Sequence, residues 1–159
     1  MSGVPLKEDM QIVVFSLDEP HYALDLSVVV RIVRAVEITP LPKAPEIVLG
    51  VINVHGQIVP VVDIRKRFRL PEHEMDLDDR FIIACTSRRL VALLVDDVIS
   101  VQRLRNRIIA SAEGDLPFAE YIKGVVEVGE DLILIYDLDQ FLSLDEKQKL
   151  EKALSEGTI

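Results

Sequence analysis

The sequence predicts a mainly β protein made by duplicating one small unit, and three observations carry that prediction. First, Gly50 to Phe68 (GVINVHGQIVPVVDIRKRF) aligns without a gap onto Gly124 to Leu142 (GVVEVGEDLILIYDLDQFL), an offset of 74 (124 − 50) that puts Asp63 on Asp137. Second, Tyr22-Ala-Leu-Asp-Leu-Ser-Val-Val-Val aligns with Val91-Ala-Leu-Leu-Val-Asp-Asp-Val-Ile, an offset of 69 (91 − 22). Third, the aliphatic residues fall in short runs bounded by turn residues, which is the pattern of strands. Ile58, Val59, Val61, Val62 and Ile64 put apolar groups on both faces of one such run. That strand is expected to be covered on both sides, as in a small closed barrel. A duplicated unit has two similar faces and a seam between them. The 159 residues are read as one domain, with one half over about 10–70, a second over 80–142, and a tail over 143–159.

Gln11 to Leu17 is the first predicted strand, with Ile12, Val14 and Ser16 alternating against Val13, Phe15 and Leu17. Asp18-Glu19-Pro20 is a turn. Tyr22 to Leu26 continues as a strand, and Asp25-Leu-Ser-Val is expected to hold a single helical turn before the β-branched run Val28 to Val36. After the proline-punctuated Thr39-Pro-Leu-Pro-Lys-Ala-Pro, Pro45 suits the first position of a short helix and Gly50 its stop. Val51–Val54 and Gln57–Ile64 form a hairpin about His55-Gly56, a turn that wants positive φ. Pro60 cannot donate to a ladder and marks a bulge or an edge. The second copy repeats this with Phe81–Thr86, Leu90–Val95, Val98–Leu104, a short helix between Pro117 and Gly124, and a hairpin of Val125–Val128 and Leu132–Leu138 about Gly129-Glu130. Pro71 to Asp79 is an acidic connector. Ser143 and Glu146 have the spacing of a capping box, and Leu144, Lys147, Leu150 and Leu154 that of a terminal helix.

Composition narrows the function. A net charge of −9 argues against nucleic acid and anionic membranes as partners. One cysteine excludes a disulfide framework and fits a reducing cytoplasm. The N-terminus lacks the order of a signal peptide, and no apolar run reaches the ~18 residues of a membrane span. His21, His55 and His73 have no ligand spacing to one another or to Cys85, so no metal or cofactor is expected. Asp96-Asp97 and Asp137-x-Asp139 end apolar strands, where Asp favours turns. Cys85 reads as a small buried hydrophobe, and Arg65-Lys-Arg-Phe-Arg as a solvated helical face or a contact with an acidic partner. With no phosphate loop or nucleophile elbow, the chain reads as a non-catalytic binding module.

GVINVHGQIVPVVDIRKRF resembles the signature hairpin of the CheW family of bacterial chemotaxis adaptors, usually G-V-x-N-x-R-G-x-x-x-P-V-x-D-L-R. Val-Glu-Ile-Thr-Pro-Leu-Pro, Leu-Val-Asp-Asp-Val-Ile, Tyr121-Ile-Lys-Gly-Val-Val and Ile-Tyr-Asp-Leu-Asp resemble further segments of that family, over about residues 10 to 145. The resemblance implies two SH3-like five-stranded β-barrels with exchanged segments and a shared hydrophobic core. It implies an adaptor coupling the cytoplasmic tip of a methyl-accepting chemoreceptor to the regulatory domain of a CheA-type histidine kinase, in cytoplasmic arrays at the membrane. It places receptor contacts at Leu26, Val29, Ile32 and Val98. Kinase contacts fall at Ile38, Leu41, Gly50, His55 and Gly56. Three positions depart from the family pattern: His55 stands where Arg is common, Arg31 where Glu is common, and Asp97 where Gly is common. Two other readings compete: a CheW-like adaptor of a pilus, surface or developmental system, and a small enzyme or metal protein using Asp96, Asp97 and a histidine.

Overall fold

A computed structural model of the chain describes residues 10–17, 21–72, 74–103, 108–110, 121–128 and 130–157. Its strands are β1 (Gln11–Ser16), β2 (His21–Asp25), β3 (Val29–Arg34), β4 (Val48–Val54), β5 (Gln57–Val62), β6 (Arg80–Cys85), β7 (Leu90–Val95), β8 (Asp97–Arg103), β9 (Ile108–Ala110), β10 (Ile122–Val128) and β11 (Asp131–Tyr136). The helices are α1 (Ile64–Arg67) and α2 (Leu144–Gly157). The fold is mainly β, two SH3-like barrel subdomains, with strand orders β8-β1-β2-β11-β10-β9 and β3-β6-β7-β5-β4.

The repeat offsets explain these orders. Under them β8 corresponds to β3, β1 to β6, β2 to β7, β11 to β5 and β10 to β4, so the sheets match strand for strand, with the short β9 added to the first. The hairpins β1–β2 and β6–β7 have changed places: each completes the sheet otherwise built from the other copy. The exchange is sealed by two parallel pairings at equivalent positions, Val61 with Ala92 and Ile135 with Ala23. Equivalent backbone bonds follow each hairpin, Asp63 N–H to the Ile47 carbonyl and Asp137 N–H to the Tyr121 carbonyl, both at 2.8 Å.

Three apolar clusters result. One barrel interior holds Ile12, Val14, Ala23, Val126, Ile133 and Ile135, and the other holds their equivalents Phe81, Ile83, Ala92, Ile52, Val59 and Val61. The third and largest fills the seam, with Phe15, Tyr22, Ile82, Leu93, Phe68 and Tyr136 among its members. Successive strand residues point to opposite faces, so Phe81 and Ile83 enter a barrel while Ile82 and Ala84 enter the seam. Strands apolar on both faces are what two barrels sharing a core require, as β5 shows with Val61 inside and Val62 at the seam. Pro60 precedes the stretch where β7 pairs with β5, so its missing donor faces a locally unpaired edge.

Three segments differ from the expectation of their residue pattern. No helix runs from Pro45 to Gly50: a turn closes with Val48 N–H on the Pro45 carbonyl at 2.9 Å, and Gly50 lies inside β4. Cys85 is exposed, because β6 ends there and the chain leaves the core for a turn. Arg65 is buried instead of solvated. The helix expected after Pro117, the turn at Asp18-Glu19-Pro20, Gly129 and His73 lie outside the described residues. The terminal helix forms as expected, with Ser143 N–H donating to Glu146 Oε1 at 2.7 Å and Glu146 N–H to Ser143 Oγ at 3.1 Å.

Candidate functional site

The edge strands β3 and β8 occupy corresponding ends of the two sheets. Val29 opens β3 opposite Ala84, and Val98, its equivalent 69 residues on (98 − 29), lies on β8 opposite Phe15. Both are half-buried against the seam core. Leu26 sits in the 3-10 turn before β3, half-buried, where the Asp25 carboxylate accepts from Ser27 N–H at 3.0 Å. Ile32 lies opposite Ile82 and is exposed. Of the four residues expected to face a receptor, Val29 and Val98 therefore pack against the seam, Leu26 is half-buried in the turn before β3, and Ile32 is exposed.

The same strands carry apolar residues that the sequence reading missed. Val30 and its equivalent Ile99 are 50% and 48% exposed, and Ile32 and its equivalent Val101 are 41% and 53% exposed. Ile58 and Leu132, equivalent across the hairpin repeat, are also exposed. Isolated exposed aliphatics are ordinary, but six that pair under the repeat mark two related faces. The signal was present in the sequence, since the offset of 69 already aligned Val30 with Ile99.

The residues expected to face a kinase fall into two groups. His55 and Gly56 are exposed at the β4–β5 tip, with φ of 51° and 83°, the double positive φ of a tight two-residue turn. Asn53 Oδ1 accepts from Gly56 N–H at 2.7 Å and fixes that turn. Ile38 and Leu41 are half-buried, Ile38 against one barrel interior and Leu41 against the seam. Gly50 is buried with φ of 153°, and a Cβ there would stand 2.3 Å from the Thr39 carbonyl oxygen and 2.7 Å from the Ile38 side chain. Gly50 thus lets the 38–39 segment lie on β4, where Thr39 and Val51 exchange backbone bonds at 2.9 and 2.8 Å. Its contribution to a surface runs through the placement of Ile38.

The basic run after β5 stitches the molecule together. Arg65 donates to Asp96 at 2.5 Å, and the Asp96 N–H donates to the Ser16 carbonyl at 3.0 Å. Arg67 pairs with Glu146, donates from Nε to the Phe141 carbonyl at 2.8 Å, and lies 5.3 Å from the Tyr121 ring centre. Next to Arg67 in the chain, Phe68 stacks on Tyr136 with ring centres 4.1 Å apart. Burial, with a smaller contribution from Tyr22, pushes the Tyr136 phenol far above its usual range and keeps it neutral.

The acidic residues considered for chemistry have structural partners. Asp137 caps the following turn, and Asp139 accepts from Ser87 N–H at 2.8 Å. Among the described residues no group of three or more His, Cys, Asp and Glu could hold a metal ion, and no helix is long and apolar enough to cross a membrane. What the fold presents is a pseudo-symmetric double barrel whose two edge strands carry exposed aliphatic residues. It defines a protein-binding module.

Comparison with known proteins gives the module its family. Residues 11–146 match the family model for the CheW-like domain. The chemotaxis protein CheW of Treponema pallidum (strain Nichols) is 30% identical over 156 residues, covering 90% of this chain and 88% of that protein. CheW of Thermotoga maritima is 30% identical over 135 residues, covering 85% and 89%. The crystal structure of the scaffolding protein TtCheW from Thermoanaerobacter tengcongensis superposes with a TM-score of 0.79 at 32% identity, over 87% of this chain and 95% of that one. The chain belongs to the CheW-like domain family.

Proposed function

We propose that this protein is a non-catalytic adaptor that couples the cytoplasmic tip of a methyl-accepting chemoreceptor to the regulatory domain of a CheA-type histidine kinase. It acts in the cytoplasm and is recruited to receptor arrays at the membrane. The observation that carries the reading is the pairing of exposed apolar residues under the internal repeat, on a fold shared with proteins named for chemotaxis and scaffolding. A molecule that works by geometry needs two binding faces held at a fixed angle. The seam core and the Arg65–Asp96 pair supply that rigidity.

In this reading Leu26, Val29, Ile32 and Val98 receive the receptor at the seam margin, with Val30, Ile99 and Val101 extending the contact. The kinase is met by the β4–β5 tip at His55 and Gly56 and by the segment holding Ile38 and Leu41, which Gly50 seats. Co-sedimentation with receptor-bearing membrane vesicles tests it. Kinase should pellet with receptor only when the adaptor is present, and the adaptor should pellet with receptor alone. An adaptor that stays in the supernatant under both conditions contradicts the reading.

A further inference from the structure

Helix α2 sits on the rest of the molecule through a short apolar line, Leu150 in the seam core with Leu154 packed against it, flanked by charge. Of its fourteen residues, Leu150 and Ala153 are the buried ones among those described. Glu146 pairs with Arg67 of α1. Glu151 pairs with Arg88 at 2.8 Å and Arg89 at 3.8 Å in the β6–β7 turn, and Glu156 pairs with Lys43 at 3.6 Å. At about 100° per residue, Glu151 and Glu156 flank the Leu150–Ala153 line on opposite sides, while Glu146 leads it. The surface beneath is a basic-walled groove on a chain of net charge −9.

The fit is incomplete. Beside Leu150 an open cleft remains, floored by Val62, Val91, Leu138 and Phe141. The pairs to Arg88 and Lys43 are largely solvated, 49% and 78% exposed on the basic side, a setting in which ion pairs hold weakly and yield to salt. The groove residues Lys43, Arg67, Arg88 and Arg89 lie within the family match, residues 11–146, and α2 runs past its end.

We propose that the surface under α2 is a helix-accepting groove which α2 fills in cis, and that an acidic amphipathic helix of a partner protein displaces it. The partner helix would carry a short apolar line flanked on both sides by carboxylates, matching Lys43, Arg67, Arg88 and Arg89. A partner is favoured over a second copy of α2 because the tether has no slack: Phe141 is buried and Ser143 already caps the helix. This inference stands independently of the adaptor reading.

The test uses the full chain and a fluorescent peptide of residues 143–157. Leu150→Ala loosens the resident helix and leaves the basic walls intact, so the peptide should bind that variant about tenfold tighter than the unaltered chain. Replacing the peptide's three glutamates by glutamine should remove that binding. Equal or absent binding to both chains overturns the proposal, and a peptide-independent dimer of the variant overturns it in favour of exchange between copies. Hydrogen exchange of the unaltered chain guards against a variant that fails to fold. Amides of 147–156 should exchange while β6 and β7 stay protected, and faster in high salt, whereas exchange of α2 only with global unfolding also overturns the proposal.

Discussion

Arg65 and Asp96 form a 2.5 Å ion pair that ties the helix after β5 to the crossing from β7 to β8, where the chain passes from one barrel to the other. Arg65 is 8% exposed at its side chain and Asp96 25%, so the pair is sheltered from water. Its position under the repeat has no counterpart. The residue equivalent to Arg65 is Asp139, which accepts a backbone N–H of Ser87. The pseudo-twofold is therefore broken at the seam, with one side pinned by a charged pair and the other by a single carboxylate–amide bond.

Removing Asp96 should be costly, because it leaves a buried guanidinium without its main counter-charge. Asp96→Ala is expected to lower unfolding free energy by about 3 kcal/mol, measured by urea titration. Arg65→Met combined with Asp96→Leu should recover a large part of that loss. A single-variant effect below about 0.5 kcal/mol would show that the pair does not hold the seam.

The two glycines proposed at the kinase surface should behave differently. At Gly50 a methyl meets backbone at 2.3 Å, whereas at Gly56 nothing lies within 4 Å. Gly50→Ala is expected to cost about 3 kcal/mol and Gly56→Ala about 1 kcal/mol, the latter from positive φ alone. Thermal melts of the two variants check this, and equal losses would count against the packing account of Gly50.

Local features of this fold follow from residue pattern, and long-range ones do not. The hairpins at 50–68 and 124–142 were readable because turn residues and strand alternation are local, and the copies reinforce one another. Which sheet a hairpin completes is not local, so the places that β1–β2 and β6–β7 take in each other's sheets could not be read from residue pattern alone. The basic run was misread for the same reason: Arg65 and Arg67 find Asp96 and Glu146 at separations of 31 and 79 residues. Pro45 and Gly50 misled in another way, since the proline and glycine that punctuate a short helix also suit a turn followed by a bulged strand. Of the proposed receptor contacts, Ile32 comes from the family resemblance and lies exposed, while its equivalent Val101 is reached by following the 69-residue offset two residues past the Val30–Ile99 pair.

The edge-strand residues offer a test of receptor binding free of folding effects. Ile32→Glu and Val101→Glu each place a charge at an exposed position, so stability should change by no more than about 0.5 kcal/mol. Each should weaken binding to a receptor-tip fragment by about tenfold. Unchanged binding for both would move the receptor site away from these strands.

Alkaline stability reports on the seam. Burial holds the Tyr136 phenol neutral, so the folded state keeps its proton at pH values where the unfolded chain, titrating near about 10, has lost it. This contribution is fully present below pH about 10 and declines as pH rises above it, by up to about 1.4 kcal/mol per pH unit. Tyr136→Phe should flatten the fall in stability between about pH 10 and 12 by that slope, measured by denaturant titration. An unchanged slope would show that the phenol titrates freely.

If this protein joins a kinase to a receptor as proposed, calorimetric titration into the regulatory domain of a CheA-type kinase from the same genome should detect the complex. One-to-one binding at about micromolar Kd or tighter is expected. Ile58→Glu, at an exposed site beside the His55-Gly56 tip, should weaken that binding about tenfold without changing the melt. An absence of heat with every such kinase in the genome, from a protein that melts cooperatively, would contradict the adaptor reading.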